Sequence, residues 1–123
     1  MKIFDEGIFL SHLELEVAKS ERFGYPFSIL AIKALDAYIN TVMLLNSILE
    51  ANYRKTDLVA RLTDGTYVIL LNGTNENKAQ QYLSRLIQTA VSENNIAVIA
   101  GITNYQDSDD AKKIMNRLLE KIK

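Results

Sequence analysis

The order in which helical and strand-like hydrophobic patterns alternate is the feature that most constrains the fold of this chain. Apolar residues that recur every three or four positions predict helices, and short apolar runs between turn residues predict strands. The predicted helices are about 5–23, 40–54, 76–92 and 109–122, and the predicted strands are 27–32, 58–62, 66–71 and 96–103. After the first helix the order is therefore β-α-β-β-α-β with a closing helix. This order predicts a ferredoxin-like α+β fold, in which an antiparallel four-stranded sheet carries helices on one face.

Turn and capping residues mark the boundaries of these segments. Gly24-Tyr25-Pro26 is expected to end the first helix, which is the longest. Thr63-Asp64-Gly65 predicts a tight turn between the two strands in the middle of the chain. Ser108 or Asp109 is placed to cap the last helix.

Composition limits the classes of protein to which the chain can belong. A length of 123 residues suits a single domain, 1–123. Hydrophobic residues make up 48% and charged residues 24%, the balance of a soluble globular protein. The net charge of -1 argues against nucleic-acid binding, and the apolar runs are too short for a membrane span. The absence of cysteine excludes disulfides and cysteine-bound zinc and fits a cytoplasmic location.

Several pieces of the sequence, taken in order, resemble the GGDEF domain, the module of diguanylate cyclases that makes cyclic di-GMP from two GTP. The pieces are residues 15–30, 57–62, 67–74 and 99–102. They resemble the first long helix with its Gly-x-Pro turn and first strand, the two strands around the signature loop, and the strand that reads Ser-Ile-Gly-Val in the family. The resemblance implies a nucleotidyl-cyclase-like version of the fold with a long N-terminal helix, and a part in cyclic di-GMP signalling.

The residues at the family's catalytic positions differ from those that the enzyme uses. The five signature positions hold Thr63, Asp64, Gly65, Thr66 and Tyr67. Where the family has a metal-binding aspartate at the end of the first strand, this chain has Lys33, which would repel divalent cations. The segment from there to Arg54 is also about ten residues shorter than the resemblance would require for a guanine-holding loop. The resemblance therefore implies a degenerate domain without catalytic residues, bound metal or cofactor.

A second nucleotide site of the family is retained in the sequence. Its marker, Arg-x-x-Asp, lies five residues before the signature loop, as Arg54 and Asp57 do here, and Arg85 falls at the position of a further arginine in the following helix. A guanidinium can contact guanine O6 and N7 or clamp phosphate oxygens, and a carboxylate can accept the guanine N1 and N2 hydrogens. By resemblance, Arg54, Asp57 and Arg85 would bind cyclic di-GMP as an intercalated pair, which makes the chain a non-catalytic receptor.

Other interpretations stay open at the level of sequence. Arg54 and Asp57 are spaced as an ordinary surface ion pair would be, which contributes less than about 1 kcal/mol. The chain can instead be a degenerate GGDEF domain without ligand that acts as a dimerisation or protein-interaction module through its first helix or its sheet. A third alternative is an enzyme that acts on GTP with an altered site. His12 has no second histidine or cysteine beside it, so it is expected to be structural.

Overall fold

The computed structural model describes residues 1–36 and 38–123. Within these residues the helices are α1 (Glu6–Phe23), α2 (Ile39–Asn52), α3 (Glu76–Gln88) and α4 (Ala111–Glu120). The strands are β1 (Ile3–Phe4), β2 (Phe27–Ala34), β3 (Leu58–Arg61), β4 (Tyr67–Asn72) and β5 (Val98–Asn104). A π-helical turn, Thr89–Glu93, continues α3. In the described part of the chain, no helix is both long enough and apolar enough to cross a bilayer.

The strands form one sheet in the order β1-β3-β4-β2-β5. The four strands from β2 to β5 pair antiparallel to one another, with Leu30 of β2 opposite Ile69 of β4 and Ile102 of β5. This arrangement confirms the ferredoxin-like α+β prediction. The predicted strand number is wrong, because β1 adds a fifth strand parallel to β3, with Ile3 opposite Val59.

Helices cover both faces of the sheet, so the prediction that they share one face is also wrong. Leu30 and Ile32 of β2 belong to a core that is completed by α2 and α3. Ile29 and Ala31, which alternate with them, belong to a second core that is completed by α1 and α4. A central strand that is buried on both faces needs a continuous apolar run rather than an alternating pattern.

The first helix ends where Gly24 predicts, and Asp5 caps its start. The side chain of Asp5 accepts a hydrogen bond from the Ile8 N–H at 2.9 Å. Gly24 ends α1 in the left-handed region at a φ of 72°, which glycine adopts without steric cost. The long N-terminal helix and its stop at Gly24 are thus confirmed.

The cap of the last helix is Asp110, so the prediction of Ser108 or Asp109 is wrong. Asp110 Oδ1 accepts from the Lys113 N–H at 2.8 Å. The carboxylate of Asp109 is instead bound by Arg117, at 2.7 and 3.0 Å. Because Asp109 is bound to Arg117, the capping position is taken by Asp110.

Candidate functional site

Arg54 and Asp57 lie in the turn between α2 and β3, and each holds the other in place. The Arg54 backbone N–H donates to Asp57 Oδ2 at 2.9 Å, and Arg54 Nε and Nη2 contact Oδ1 at 3.0 and 2.9 Å. The Asp57 N–H donates to the Arg54 carbonyl at 2.9 Å. The Asp57 side chain is 0% exposed, whereas that of Arg54 is 47% exposed. The carboxylate therefore positions the guanidinium, and the guanidinium faces solvent.

Thr74 holds the same guanidinium from the other side. Arg54 Nη2 donates to Thr74 Oγ1 at 2.9 Å, and that hydroxyl donates to the Asn72 carbonyl at 3.0 Å. The Thr74 carbonyl accepts from the buried Ser28 hydroxyl at 2.9 Å. Arg54 is therefore held from two sides, by Asp57 and by Thr74.

Arg85 faces the same region from α3. Its guanidinium lies 5.8 Å from the centre of the Tyr82 ring. The Tyr82 hydroxyl donates to the Asn52 carbonyl at 3.1 Å, and burial raises the pKa of Tyr82 to about 12. Tyr82 thus ties α3 to the end of α2 and brings Arg85 to the side of the turn that holds Arg54.

These side chains line a cavity of about 250 Å³. Its lining residues are Asn52, Arg54, Thr74, Lys78, Gln81, Tyr82 and Arg85. We call the group Arg54, Lys78 and Arg85 the cation pocket. Among the described residues, no carboxylate oxygen lies within 4.0 Å of the charged groups of Lys78 or Arg85. The cavity is therefore lined by positive charge, although the chain as a whole carries -1.

The structure brings two of the three predicted site residues to one cavity and sets the third behind them. Arg54 and Arg85 line the cavity, and Asp57 contacts it only through Arg54. Lys78 is a lining residue that the sequence reasoning missed. The sequence could have indicated Lys78, because it lies seven positions before Arg85 and therefore on the same face of α3.

A second cavity, of about 450 Å³, lies between the end of β2, helix α2 and the turn from β3 to β4. We call it the signature-loop cavity. Lys33 Nζ lies 3.4 Å from Asp64 Oδ2 across it. The backbone N–H of Thr66, at 3.0 Å, and to a lesser extent Lys33 hold the pKa of Asp64 below its ordinary value. Asp64 therefore stays charged, with its oxygens directed at these two donors.

No protein-family model matches the chain, and no curated protein matches it. Solved structures do match it. A DGC protein from Thermotoga maritima is 19% identical with a TM-score of 0.82, over 99% of this chain and 97% of that one. The GGDEF domain of DgcB from Caulobacter crescentus, in complex with c-di-GMP, is 12% identical with a TM-score of 0.84, over 96% and 82%.

The third is the diguanylate cyclase SiaD from Pseudomonas aeruginosa, in complex with its activator SiaC. It is 16% identical with a TM-score of 0.84, over 98% of this chain and 54% of that one. Identities this low establish similarity of fold and nothing finer. The chain has the α+β fold of GGDEF, nucleotidyl-cyclase-like domains.

Proposed function

We propose that this chain is a non-catalytic receptor domain that binds cyclic di-GMP at Arg54, Asp57 and Arg85. The observation that carries the proposal is the cation pocket, where arginines from two separate elements line one cavity and face solvent. The fold supports it, since one GGDEF domain of this fold, that of DgcB, is in complex with c-di-GMP. Cyclic di-GMP offers two phosphates and two guanines, the groups that guanidinium side chains bind best.

The ligand would take over the hydrogen bonds that Arg54 now gives to Asp57. In the structure, Nε and Nη2 of Arg54 already point at one acceptor, Asp57 Oδ1. Guanine O6 and N7 present two acceptors to such a fork. Once the fork turns to the base, the carboxylate is free to accept the guanine N1 and N2 hydrogens. In this exchange Asp57 has two roles, holding Arg54 before binding and contacting the base afterwards.

Titration calorimetry with cyclic di-GMP tests the proposal directly. We expect saturable binding with a dissociation constant below about 50 µM, because several charge-assisted hydrogen bonds form at once. A nucleotide with one phosphate, such as GMP, serves as the control and is expected to bind far more weakly. A flat titration at that concentration would refute the receptor function.

The signature-loop cavity supports the non-catalytic part of the proposal. Phosphoryl transfer by this family would need divalent cations, and the residues present do not fit them. Asp64 directs its carboxylate at the Thr66 N–H and at Lys33, whose ammonium would repel a divalent cation at that carboxylate. In the described ranges, 1–36 and 38–123, no three histidine, aspartate or glutamate side chains gather into a possible metal site.

We expect no cyclic di-GMP when the protein is incubated with GTP and magnesium and the mixture is separated by chromatography. Lys33→Asp is also expected to yield none, because it restores one carboxylate and neither glycine of the signature. An active diguanylate cyclase run in parallel shows that the assay detects product. Product formed by the wild-type protein would favour the alternative of an enzyme with an altered site.

A second candidate function, that of an interaction module, is favoured by an apolar surface at the start of α2. Of the eleven large hydrophobic side chains that are exposed in the described residues, five lie between positions 35 and 44. They are Leu35, Tyr38, Ile39, Met43 and Leu44. Exposed apolar surface often marks a protein interface, and SiaD, of which this chain spans 54%, is in complex with its activator SiaC. The prediction from sequence had placed such a surface on the first helix or the sheet instead.

If this surface is an interface between copies, the protein will self-associate in the absence of ligand, and Met43→Lys will shift it to the monomer. The reason is that a charge at the centre of an apolar contact must be desolvated. Sedimentation velocity over a range of protein concentrations measures the effect. Leu15→Lys on α1 is the matched control, because Leu15 is exposed to a similar degree. Wild-type protein that stays monomeric at every concentration would show that this surface is not an interface between copies of the chain.

A further inference from the structure

The charge of the cation pocket exceeds what the predicted site residues supply. Arg54 is neutralised by Asp57, which contacts it at 2.9 Å. Arg85 and Lys78 have no such partner among the described residues, so two positive charges remain on the cavity wall. One molecule of a cyclic dinucleotide carries two phosphodiester groups, each with one negative charge. The two unpaired charges of the pocket therefore match the two phosphates of one ligand molecule, and in an intercalated pair they would serve one of its two molecules.

Lys78 and Arg85 are far enough apart to contact the two different phosphates of one ligand molecule. Both project from one face of α3 and are seven residues apart, which is about two turns or about 10 Å along the helix axis. Arg85 is held at one end by its contact with the Tyr82 ring, 5.8 Å away. Lys78 is exposed at the other end, and its side chain is free to reach across the cavity.

We propose that Lys78 binds one phosphate of the ligand and Arg85 the other, while Arg54 contacts a guanine. This inference rests on the proposed function and adds a residue that determines affinity. Neighbouring Gln81 and Asn52 contribute amide groups to the same wall, so the lysine faces no competing carboxylate within the cavity. A lysine on an ordinary solvated surface would leave binding unchanged when it is replaced.

Lys55 provides a matched control, since it is an exposed lysine in the turn between Arg54 and Asp57 but does not line the cavity. Replacement of either lysine by methionine removes one positive charge near the ligand and keeps most of the side-chain volume. Any general effect of net charge on binding is therefore common to both variants. Only a direct contact distinguishes them.

Calorimetry with cyclic di-GMP at two salt concentrations tests the inference. Lys78→Met is expected to weaken binding about tenfold or more, as for a lost hydrogen bond to a charged group. It should also make the affinity less dependent on salt, because one exposed charge pair is gone. Lys55→Met is expected to change affinity less than about twofold. Lys78→Arg, which keeps the charge, is expected to retain most of the affinity.

The outcomes separate this inference from the function on which it rests. If the wild-type protein binds and Lys78→Met matches Lys55→Met, Lys78 does not contact the ligand and the receptor function stands. If the wild-type protein does not bind, both the receptor function and this inference fall. Thermal unfolding of each variant shows whether the fold is intact, and we expect no change for Lys78→Met because its side chain is exposed and outside every ion pair in the described residues.

Discussion

Arg85→Met is expected to weaken cyclic di-GMP binding about a hundredfold while leaving the stability of the fold unchanged. A guanidinium that makes a two-pronged contact with a phosphate contributes about that much when the contact is lost. Arg85 is exposed, and among the described residues it takes part in no ion pair, so the folded protein does not depend on its charge. Calorimetry measures the affinity, and urea unfolding measures the stability.

Arg54→Met is expected to lose binding to a similar degree but also to lose stability, by about 1–2 kcal/mol. The reason is that the side chain of Asp57 is 0% exposed and would lose the guanidinium that it contacts. The double variant Arg54→Met/Asp57→Asn should regain stability and not binding. Arg22→Met, at an exposed arginine near the end of α1, is the control for general loss of charge. Unchanged affinity in both Arg54→Met and Arg85→Met would show that the cation pocket is not the binding site.

Arg117→Met is expected to lower the free energy of unfolding by about 3 kcal/mol, the cost of leaving a buried carboxylate without its partner. Asp109 is only 7% exposed and accepts from Arg117 at 2.7 and 3.0 Å. Arg117 also donates to Thr103 Oγ1 at 2.8 Å and to the Asn104 carbonyl at 2.9 Å, which joins α4 to β5. Urea unfolding measures the loss, and a change below about 0.5 kcal/mol, the usual range for surface substitutions, would contradict it.

The same pair makes stability depend on pH at the acidic end. The hydrogen bonds from Arg117 hold the pKa of Asp109 below its ordinary value. On acidification the unfolded chain takes up this proton first, near pH 4, so protonation favours unfolding. The contribution of Asp109 is therefore full above about pH 5 and disappears as the pH falls through the lower pKa of the folded state. The difference between wild type and Arg117→Met should be constant near neutral pH and shrink in acid.

Local patterns in the sequence predicted the elements well and their layers less well. The helix stop at Gly24 and the turn at Gly65 depend on residues next to each other in the chain, and both predictions are confirmed. Whether helices pack on one face of the sheet or on both depends on tertiary packing. The continuous apolar run of β2 indicated burial on both faces but was not interpreted in that way. Strand β1 is two residues long, too short to show any period, and it exists only because β3 offers it a pairing partner.

For the site, spacing predicted which residues approach each other but not how they bond. Arg54 and Arg85 are 31 positions apart and meet because α3 packs beside the end of α2 through Tyr82. The side chain of Asp57 is 0% exposed, and the guanidinium that it holds also contacts Thr74, 20 positions away. Such long-range contacts decide side-chain exposure, which a local motif cannot encode. The pairing of Asp109 with Arg117, eight positions away, likewise depends on the side-chain geometry of α4 and not on the capping pattern.

The short strand β1 covers the edge of the sheet that β3 would otherwise form. Without it, β3 would present an unpaired row of N–H and C=O groups, and open strand edges are where sheets from different molecules join. Ile3 and Phe4 occupy that edge. Removal of the first four residues, which keeps the Asp5 cap of α1, would therefore favour aggregation.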